Sequence, residues 1–501
     1  MWTFRRCFWN FITIRKYKAN KPRETPVPED HPGKLATVPL VQRGWGIDLP
    51  NIRVASTIPR DEAVRSKLFF CTVLAVIGRV FSQNQPGLPP IDVSLDEELA
   101  RAYTARHRRC FGGPVRPTEY MGTPNLGFLA VAGPYFCFLE QAPEGGFQWD
   151  LRHLNIHEVH AGLRPLGARV LFTVDDAGAL TATQIDSDLG VSRPGDSDWD
   201  QAQQLALCTA TTFLSCITHF NNVHLAVMAQ FAVATRNNLP GTHSLRRLLW
   251  PHMWGTEYSN ALVTKVMLMK NGDLEGIFSF THAGLSSLFK KWYDLYDIRS
   301  MDPEEDAARR GVPLDQFALP ALANRLDHLK VMRDHTGRYL AHYYPSDEAL
   351  RADVCVAAWI DELDRRVPGG VGALLSTPLT VAGLARFVAA FIYIGTVDHQ
   401  ILGSAMWNYQ LWTDVQPVRV YRNGQRAPVD VYQRLVNYNF LLNVRRERLL
   451  SDFSRLALDR AGAAFFRQFQ PELQELQERL ALEDIAFWKM YPNILESSVN
   501  G

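Results

Sequence analysis

Two histidines five residues apart, His219 and His224, are the residues whose type and spacing most suggest chemistry in this sequence. An ideal α-helix turns about 100° per residue, so positions five apart point roughly 140° away from each other. A π-helical turn brings such positions onto one face, and π-bulges are frequent at functional sites. The pair therefore predicts metal binding on a locally widened helix. Imidazole suits iron, zinc, copper or nickel, and the HExxH and CxxC spacings typical of common zinc sites are absent from the sequence.

The residues that follow this pair form an ordered series. Beyond an apolar run come Ala234, Thr235, His243, Leu248, Leu249, Pro251, His252 and Asn260. This series resembles the catalytic domain of lipoxygenases, non-haem iron dioxygenases of polyunsaturated fatty acids, whose segment reads HWLxTH, then AT, LLxPH and IN. The resemblance implies that His219 and His224 bind iron. His243, His252 and Asn260 are expected to support those ligands or to stabilise the fold.

A second apolar stretch, residues 380–417, predicts another long helix. Within it, His399 stands where lipoxygenases place the third iron histidine. Four residues later the family has an iron-binding side chain, usually Asn, whereas this chain has Gly403, which offers no donor atom. The glycine either leaves an open coordination position for water or substrate, or allows close packing. The family's glutamine seven residues beyond the histidine is Met406 here.

The C-terminus and one helical position also match places of known importance in lipoxygenases. In the family the α-carboxylate of a final isoleucine binds iron, so the resemblance implies that the carboxylate of Gly501 does so here. Glycine lacks an apolar anchor side chain, whose burial contributes roughly 1.5–3 kcal/mol, so the tail is expected to be held less firmly. Val263 occupies the position that is Ala or Gly in the family and influences oxygen access. The bulkier valine is expected to redirect or obstruct oxygen.

The resemblance implies an enzyme that contains non-haem iron, with manganese as an alternative. Such an enzyme removes a hydrogen atom from a bis-allylic carbon of a polyunsaturated fatty acid, adds O2 and forms a hydroperoxide. The departures at Gly403 and Val263 leave open another iron-dependent oxidation on the same scaffold, acting on a different lipid, a hydroperoxide or a biosynthetic small molecule. A non-catalytic lipid-binding protein is a third hypothesis, and the three histidines weigh against it.

Composition argues against some partners and indicates a compartment. The chain has 501 residues, of which 53 are basic and 52 acidic, and its formal net charge is +1. Such a balance does not suggest a polyanionic partner such as nucleic acid. The seven cysteines are odd in number and scattered, which favours reduced thiols over a disulfide framework. The N-terminus lacks the pattern of a secretory signal. These features predict a cytoplasmic protein.

The N-terminal residues 1–18 mix aromatic and basic side chains without an acid. One hypothesis is an interfacial segment that makes peripheral membrane contact. The other, which we favour, is a first helix packed on the catalytic body. A proline-rich linker follows, so residues 1–34 are assigned to an N-terminal segment and residues 35–501 to one catalytic domain. The resemblance thus implies a single-domain form without the N-terminal lipid-binding β-barrel of plant and animal lipoxygenases.

The fold class expected is mainly α, a lipoxygenase-like catalytic domain with two long central helices and a small β-containing subdomain. Two further helices are expected over residues 61–80 and 99–109. A strand pair is expected over residues 128–141. Residues 169–174 and 179–185 alternate around an Asp-Asp-Ala-Gly turn, which predicts a β-hairpin. The first central helix is expected to begin near Trp199, with Asp198 as its cap.

Overall fold

A computed structural model describes most of the chain. The described residues are 11, 15, 22–30, 33–62, 73, 125–176, 178–313, 317–404, 409, 410, 412, 415–424, 446–483 and 489–499. The helices predicted over residues 61–80 and 99–109 lie almost entirely outside this set, and so does the segment 1–18. Met406 and Gly501 also lie outside the described residues.

The fold is organised around a long helix made of three consecutive segments, which we call the central helix. It is α-helical over Trp199–Phe213, π-helical over Leu214–Met228 and α-helical again over Ala229–Asn238. Most of its side chains are buried because other elements pack around it. The π-helical segment contains the histidine pair. This confirms the widened helix that the spacing of five predicts.

A second long helix, which we call the second core helix, has the same three-part design. It is α-helical over Val381–Tyr393, π-helical over Ile394–Asp398 and α-helical over His399–Ser404. A Cβ atom at Gly395 would lie 2.9 Å from Cε of Met228, so glycine permits close approach between the two π-helical segments. The prediction of two long central helices is confirmed.

Further helices surround this pair and account for the mainly α fold class. They span Leu126–Ala132, Ser244–Leu249, Thr256–Met267, Asp273–Ile277, His282–Asp294, Pro303–Arg309, Pro320–Tyr343, Asp347–Arg351, Val354–Arg366 and Arg460–Leu482. Short 3-10 turns span Pro134–Phe138, Arg152–Ile156, Trp250–His252, Ile298–Met301, Gly372–Leu374 and Ser454–Leu456. The helix Pro320–Tyr343 packs extensively on the second core helix, and Val354–Arg366 packs on the last segment of the central helix.

Two antiparallel sheets precede the central helix in the described part of the chain. The first is a hairpin of Thr37–Gln42 and Ile47–Ala55. The second is a five-stranded meander of Glu140–Gln141, Phe147–Asp150, Arg169–Val174, Leu180–Ser187 and Gly190–Ser192. Its third and fourth strands pair with Val170 opposite Ile185, which confirms the predicted hairpin. The small β-containing region is therefore present.

The strand pair predicted over residues 128–141 is wrong. The segment begins instead within the helix Leu126–Ala132 and continues into a 3-10 turn, and only Glu140–Gln141 is a strand. The helix is favoured because Oδ1 of Asn125 accepts a hydrogen bond from the backbone N–H of Phe128 at 3.1 Å, which caps its first turn. Aromatic and β-branched residues mark a buried helix here, where periodicity alone cannot separate it from a strand.

The central helix begins at Trp199 as predicted, but Asp198 does not cap it in the way expected. The side chain of Asp198 makes no hydrogen bond to the first turn of the helix. Its Oδ2 instead accepts a hydrogen bond from the hydroxyl of Ser192 at 2.9 Å. This contact ties the last strand of the meander to the start of the helix.

Residues 22–30, within the predicted linker, run without regular secondary structure along the catalytic body. The indole N–H of Trp250 donates to the carbonyl of Pro26 at 2.6 Å, and the backbone N–H of Gly241 donates to Oδ1 of Asp30 at 2.5 Å. This stretch is therefore a wrap fixed to the surface. The domain boundary placed after residue 34 stays a prediction.

The helical stretch Val381–Gly403 is long and apolar enough to cross a membrane by length and composition, with a mean hydropathy of 1.5. However, most of the apolar part of this stretch is buried inside the protein. The core helix of a soluble protein meets the same criteria, so the finding is weak evidence for a membrane span.

Candidate metal centre

The three histidines predicted as metal ligands come together between the two core helices. The ring centroids lie 5.1 Å apart for His219 and His224, 4.8 Å for His219 and His399, and 4.9 Å for His224 and His399. The Nε2 atoms of His224 and His399 are 3.0 Å apart. One possible ligand atom from each ring lies within 4.8 Å of the other two. The π-helical segment thus places residues five apart on a common face.

Burial keeps two of these rings neutral. His219 is 7% exposed and His224 is 2% exposed. Burial, with a smaller contribution from His224, holds the pKa of His219 well below its usual range. Burial also lowers the pKa of His224 to about 4, although the hydrogen bond with Asn260 opposes this shift. Near pH 7 both imidazoles are therefore uncharged and offer a nitrogen lone pair, which is the form that binds a metal.

The environment of His219 fits a bound metal ion. Its Nδ1 and Nε2 atoms are both buried and have no hydrogen-bond partner among the described residues. A buried polar atom without a partner costs about 1–3 kcal/mol, so such atoms usually have a ligand, an ion or water beside them. A metal ion among the three rings gives His219 that partner. Three imidazole rings form a donor set suited to iron and other first-row transition metals.

Two amides lie against the histidines on the side away from the cluster. Asn260, on the helix Thr256–Met267, has Oδ1 3.4 Å from Nδ1 of His224, and its Nδ2 donates to the carbonyl of His224 at 3.3 Å. The side-chain amide of Gln400 lies 3.5 Å from Nδ1 of His399. An acceptor at the non-ligating nitrogen, such as Oδ1 of Asn260 beside His224, fixes ring orientation and tautomer. Asn260 thus lies where a supporting residue is expected.

Gly403 lies on the same helical segment as His399 and faces the cluster. A Cβ atom at this position would lie 3.6 Å from Cε1 and 3.8 Å from Nε2 of His219. These are ordinary van der Waals distances, so close packing does not require a glycine here. The hypothesis of an open position beside the metal is thereby favoured. Val263 lies on the helix Thr256–Met267, three residues after Asn260.

His243 lies apart from the cluster and serves as a helix cap. Its Nδ1 accepts a hydrogen bond from the backbone N–H of Leu245 at 3.2 Å, and its Nε2 lies 3.1 Å from Oδ2 of Asp353. His243, Asp353 and Cys355 are close enough to suggest a second metal group. However, Oδ1 of Asp353 already accepts from the backbone N–H of Cys355 at 2.9 Å. Both ring nitrogens and both carboxylate oxygens are therefore engaged, which indicates a structural role.

His252 holds the C-terminal segment. Its Nδ1 lies 3.0 Å from the carbonyl of Ser497, whose backbone N–H donates to the carbonyl of Glu447 at 2.7 Å. Burial lowers the pKa of His252 to about 4, against the opposing effect of the Ser497 carbonyl. Residues 495–499 are all buried, and Val499 is fully enclosed. The tail is thus fixed to within two residues of Gly501, whose expected role as a ligand lies outside the described residues.

Sequence reasoning missed Gln400 and Arg446. Arg446 is only 5% exposed and donates to the carbonyl of Gly255 at 2.5 Å and to the hydroxyl of Ser259. Its positive charge further disfavours the protonated form of His224. The position of Gln400 directly after a candidate ligand was a signal that could have been used. No comparable signal exists for Arg446, because its proximity to the histidines arises only from tertiary folding.

The fold is mainly α, and its two core helices both widen into π-helical segments. Three buried histidines from these helices lie together. These features define a candidate non-haem metal protein. Residues 181–439, more than half of the 501 residues, match the family model described as Lipoxygenase, and the chain belongs to the lipoxygenase family. The family resemblance carried by the histidine series is thereby confirmed.

Individual relatives are distant from this chain. A manganese lipoxygenase of Pleurotus sapidus is 26% identical over 242 residues, which cover 47% of this chain and 37% of that protein. The human hydroperoxide isomerase ALOXE3 is 26% identical over 234 residues, covering 45% and 32% respectively. The matched region thus spans about a third of these curated relatives. An anaerobic crystal structure of a lipoxygenase variant in complex with arachidonate is 16% identical, with a TM-score of 0.73 over 89% of this chain and 78% of that one.

Proposed function

We propose that this protein is a non-haem iron dioxygenase that oxidises polyunsaturated fatty acids to hydroperoxides. The observation that carries the proposal is the buried cluster of His219, His224 and His399 in a chain of the lipoxygenase family. The arachidonate bound to a structural relative supports a fatty acid as the substrate class. Manganese is the alternative metal, because one relative is named for it.

Iron held by the three histidines would supply the one-electron chemistry needed for hydrogen-atom removal from a bis-allylic carbon, after which O2 would add to the carbon chain. The protein's own residues hold and orient this centre. His219, His224 and His399 provide three imidazole nitrogen donors. Asn260 can accept the Nδ1 proton of His224, which leaves the Nε2 lone pair directed at His399 and the cluster. We propose the carboxylate of Gly501 as a further, anionic donor that offsets part of the metal charge.

The enclosure of the cluster also matters for the reaction. The π-helical segments of the two core helices contain buried apolar side chains near the histidines in sequence, such as Ile217, Phe220 and Val397. These side chains keep bulk water away from the histidines, and we propose that an apolar substrate chain lies beside the centre. Holding a reacting carbon beside the metal in this way is worth several kcal/mol of the barrier, because the entropy of positioning has already been lost on binding.

The proposed activity is tested with purified protein whose bound metal has been quantified by mass spectrometry. We expect linoleic acid to give a conjugated-diene hydroperoxide with matching O2 uptake, in proportion to bound iron. Monounsaturated oleic acid is the control, because it lacks a bis-allylic carbon and should give neither signal. Bound iron with no diene and no O2 uptake across C18 and C20 polyunsaturated acids would reject the proposal.

A second candidate function is a different oxidation on the same scaffold, such as hydroperoxide isomerisation. The specific observation in its favour is Gly403, which leaves space beside His219 and supplies no donor atom to the metal. The naming of one relative as a hydroperoxide isomerase adds support. A fatty-acid hydroperoxide offered without O2 separates the two functions, since isomerisation consumes it and dioxygenation does not.

The replacement Gly403→Asn tests whether this position is open toward the metal. We expect the asparagine side chain to add an oxygen donor and to tighten metal retention by about 10-fold, in the range typical for residues around a metal. Metal dissociation during competition with a chelator is the measurement. Gly403→Ala is the matched control, because it adds a Cβ that the structure accommodates but no donor. Equal metal retention in the two variants would show that position 403 does not reach the metal.

A further inference from the structure

A cavity of about 170 Å³ lies beside the two core helices, and its lining does not include His219, His224 or His399. Its walls include Thr218 and Val223 of the central helix, Ile394 and Asp398 of the second core helix, and Phe136 of a 3-10 turn. The helix Pro303–Arg309 and the arginine that follows it complete the walls. The function proposed above makes no use of this cavity.

Two buried guanidinium groups line the cavity. Arg310 is 9% exposed and Arg325 is 4% exposed. Nη1 of Arg310 donates to the carbonyls of Phe136, at 3.1 Å, and Leu139. Nη1 of Arg325 donates to the carbonyl of Ala321 at 3.1 Å. The Nη2 atom of each arginine is buried and has no hydrogen-bond partner among the described residues.

Both guanidinium groups lie against one aromatic ring. The Cζ atom of Arg310 is 4.8 Å from the ring centroid of Phe136, and that of Arg325 is 5.7 Å from it. These contacts hold the planes of the two guanidinium groups in place. An incoming anion would therefore meet donors that are already oriented, which reduces the entropy lost on binding.

The charged groups around the cavity are partly paired, and Asp297, outside the lining, lies 3.7 Å from Nε of Arg309. The lining contains three arginines, Arg309, Arg310 and Arg325, and two aspartates, Asp306 and Asp398. Asp306 accepts from Arg309 at 2.7 Å and from Arg310 at 2.9 Å. Oδ1 of Asp398 lies 3.7 Å from Nε of Arg325 and accepts from the hydroxyl of Tyr393 at 3.4 Å. The two acids thus lie beside other nitrogens of Arg310 and Arg325, and Nη2 of each of these two arginines has no acceptor among the described residues.

We propose that this cavity binds a carboxylate joined to an apolar body, at a site distinct from the metal centre. A carboxylate between Arg310 and Arg325 gives both Nη2 atoms a charged acceptor, and such charge-assisted hydrogen bonds are stronger than neutral ones. Phe136, Phe138, Val223 and Ile394 supply apolar walls for the rest of the ligand. Water is a poorer occupant of that apolar part, since an ordered water needs two to four polar partners.

The first test uses the unmutated, metal-loaded protein and two probes of nearly the same shape. Calorimetric titration with benzoate should show binding, and benzamide should bind at least about 10-fold more weakly because it lacks the negative charge. Equal binding of the two probes, or no binding of benzoate, would overturn the proposal. The comparison needs no variant, so it stands even where a substitution impairs folding.

The second test locates the carboxylate. Arg325→Gln should weaken benzoate binding by more than about 10-fold, and Arg338→Gln is the control because Arg338 pairs with Glu472 and does not line the cavity. Unchanged benzoate affinity in Arg325→Gln would show that benzoate binds elsewhere. Loss of benzoate binding when the metal is removed from the unmutated protein would show that it binds at the metal centre. Either result would overturn the proposal.

Titration with a series of acids from butyrate to octanoate then distinguishes two kinds of carboxylate ligand, both consistent with the proposal. Affinity that rises with chain length indicates the headgroup of a fatty acid, and affinity independent of length indicates a free small acid. All of these titrations measure binding, so their outcome does not depend on whether the protein oxidises fatty acids.

Discussion

Replacing His399 with alanine is expected to remove the metal from the purified protein and with it all diene-forming activity. Nε2 of His399 lies 3.0 Å from Nε2 of His224. The ring centroids of His399 and His219 are 4.8 Å apart. Without His399, the centre keeps the two imidazoles of the central helix and the proposed Gly501 carboxylate, but the second core helix no longer supplies a donor, so we expect the metal to be lost during purification. Metal per chain, measured by mass spectrometry after desalting, should fall from near one to near zero.

His243→Gln is the matched control for this prediction. Its ring nitrogens contact Leu245 and Asp353 rather than the other histidines. We expect this variant to keep its metal and to lose only about 1 kcal/mol of stability, the usual cost of a weakened helix cap. A His399→Ala protein that is folded by circular dichroism and still holds one metal per chain would refute the assignment of His399 as a ligand.

The spacing of His219 and His224 shows how sequence reasoning can reach beyond regular secondary structure. A regular α-helix separates residues five apart, so two histidines at that spacing serve one site only if the helix widens. The π-helical segment Leu214–Met228 confirms this inference. The convergence with His399 followed from the family resemblance and not from spacing, because 175 residues separate it from His224.

Other elements show where local patterns were insufficient. The helix Leu126–Ala132 was taken for a strand because its apolar residues are buried on nearly all sides, which removes the periodicity that identifies an amphipathic helix. The hairpin of Thr37–Gln42 and Ile47–Ala55 was missed altogether. Its strands contain Pro39 and Pro50, and proline lowers the strand propensity of a sequence even where an edge strand tolerates it.

The arginine-lined cavity shows a third limit of sequence reasoning. Its two buried arginines, Arg310 and Arg325, come from different helical regions of the chain. Their approach to a common ring, that of Phe136, depends on how Pro303–Arg309 and Pro320–Tyr343 pack against the 3-10 turn. Unsatisfied buried donors can be recognised only when all neighbouring acceptors are placed, so such a site has no signature along the chain.

The C-terminal segment is held in place by contacts of residues 495–499, and the proposed role of the terminal residue Gly501 can be tested. His252 contacts the carbonyl of Ser497, and the backbone N–H of Leu449 donates to the carbonyl of Leu495 at 3.0 Å. The buried residues 495–499 resist displacement even though Gly501 itself brings no side chain. The described anchoring contacts end at Val499, so the proposed role of Gly501 requires only its terminal carboxylate.

Adding Gly-Ser after Gly501 is accordingly expected to lower activity by at least about 10-fold, within the range seen when a group at a metal site is lost. The extension converts the Gly501 carboxylate into a neutral amide and moves the charge two residues away, while His252 still holds Ser497. Gly501→Ala is the matched control, because it keeps a carboxylate at the same position, and it should retain nearly full activity and metal. If the extended protein oxidises linoleic acid at the unextended rate with equal bound iron, the Gly501 carboxylate is not a ligand, and the centre relies on its histidines and solvent.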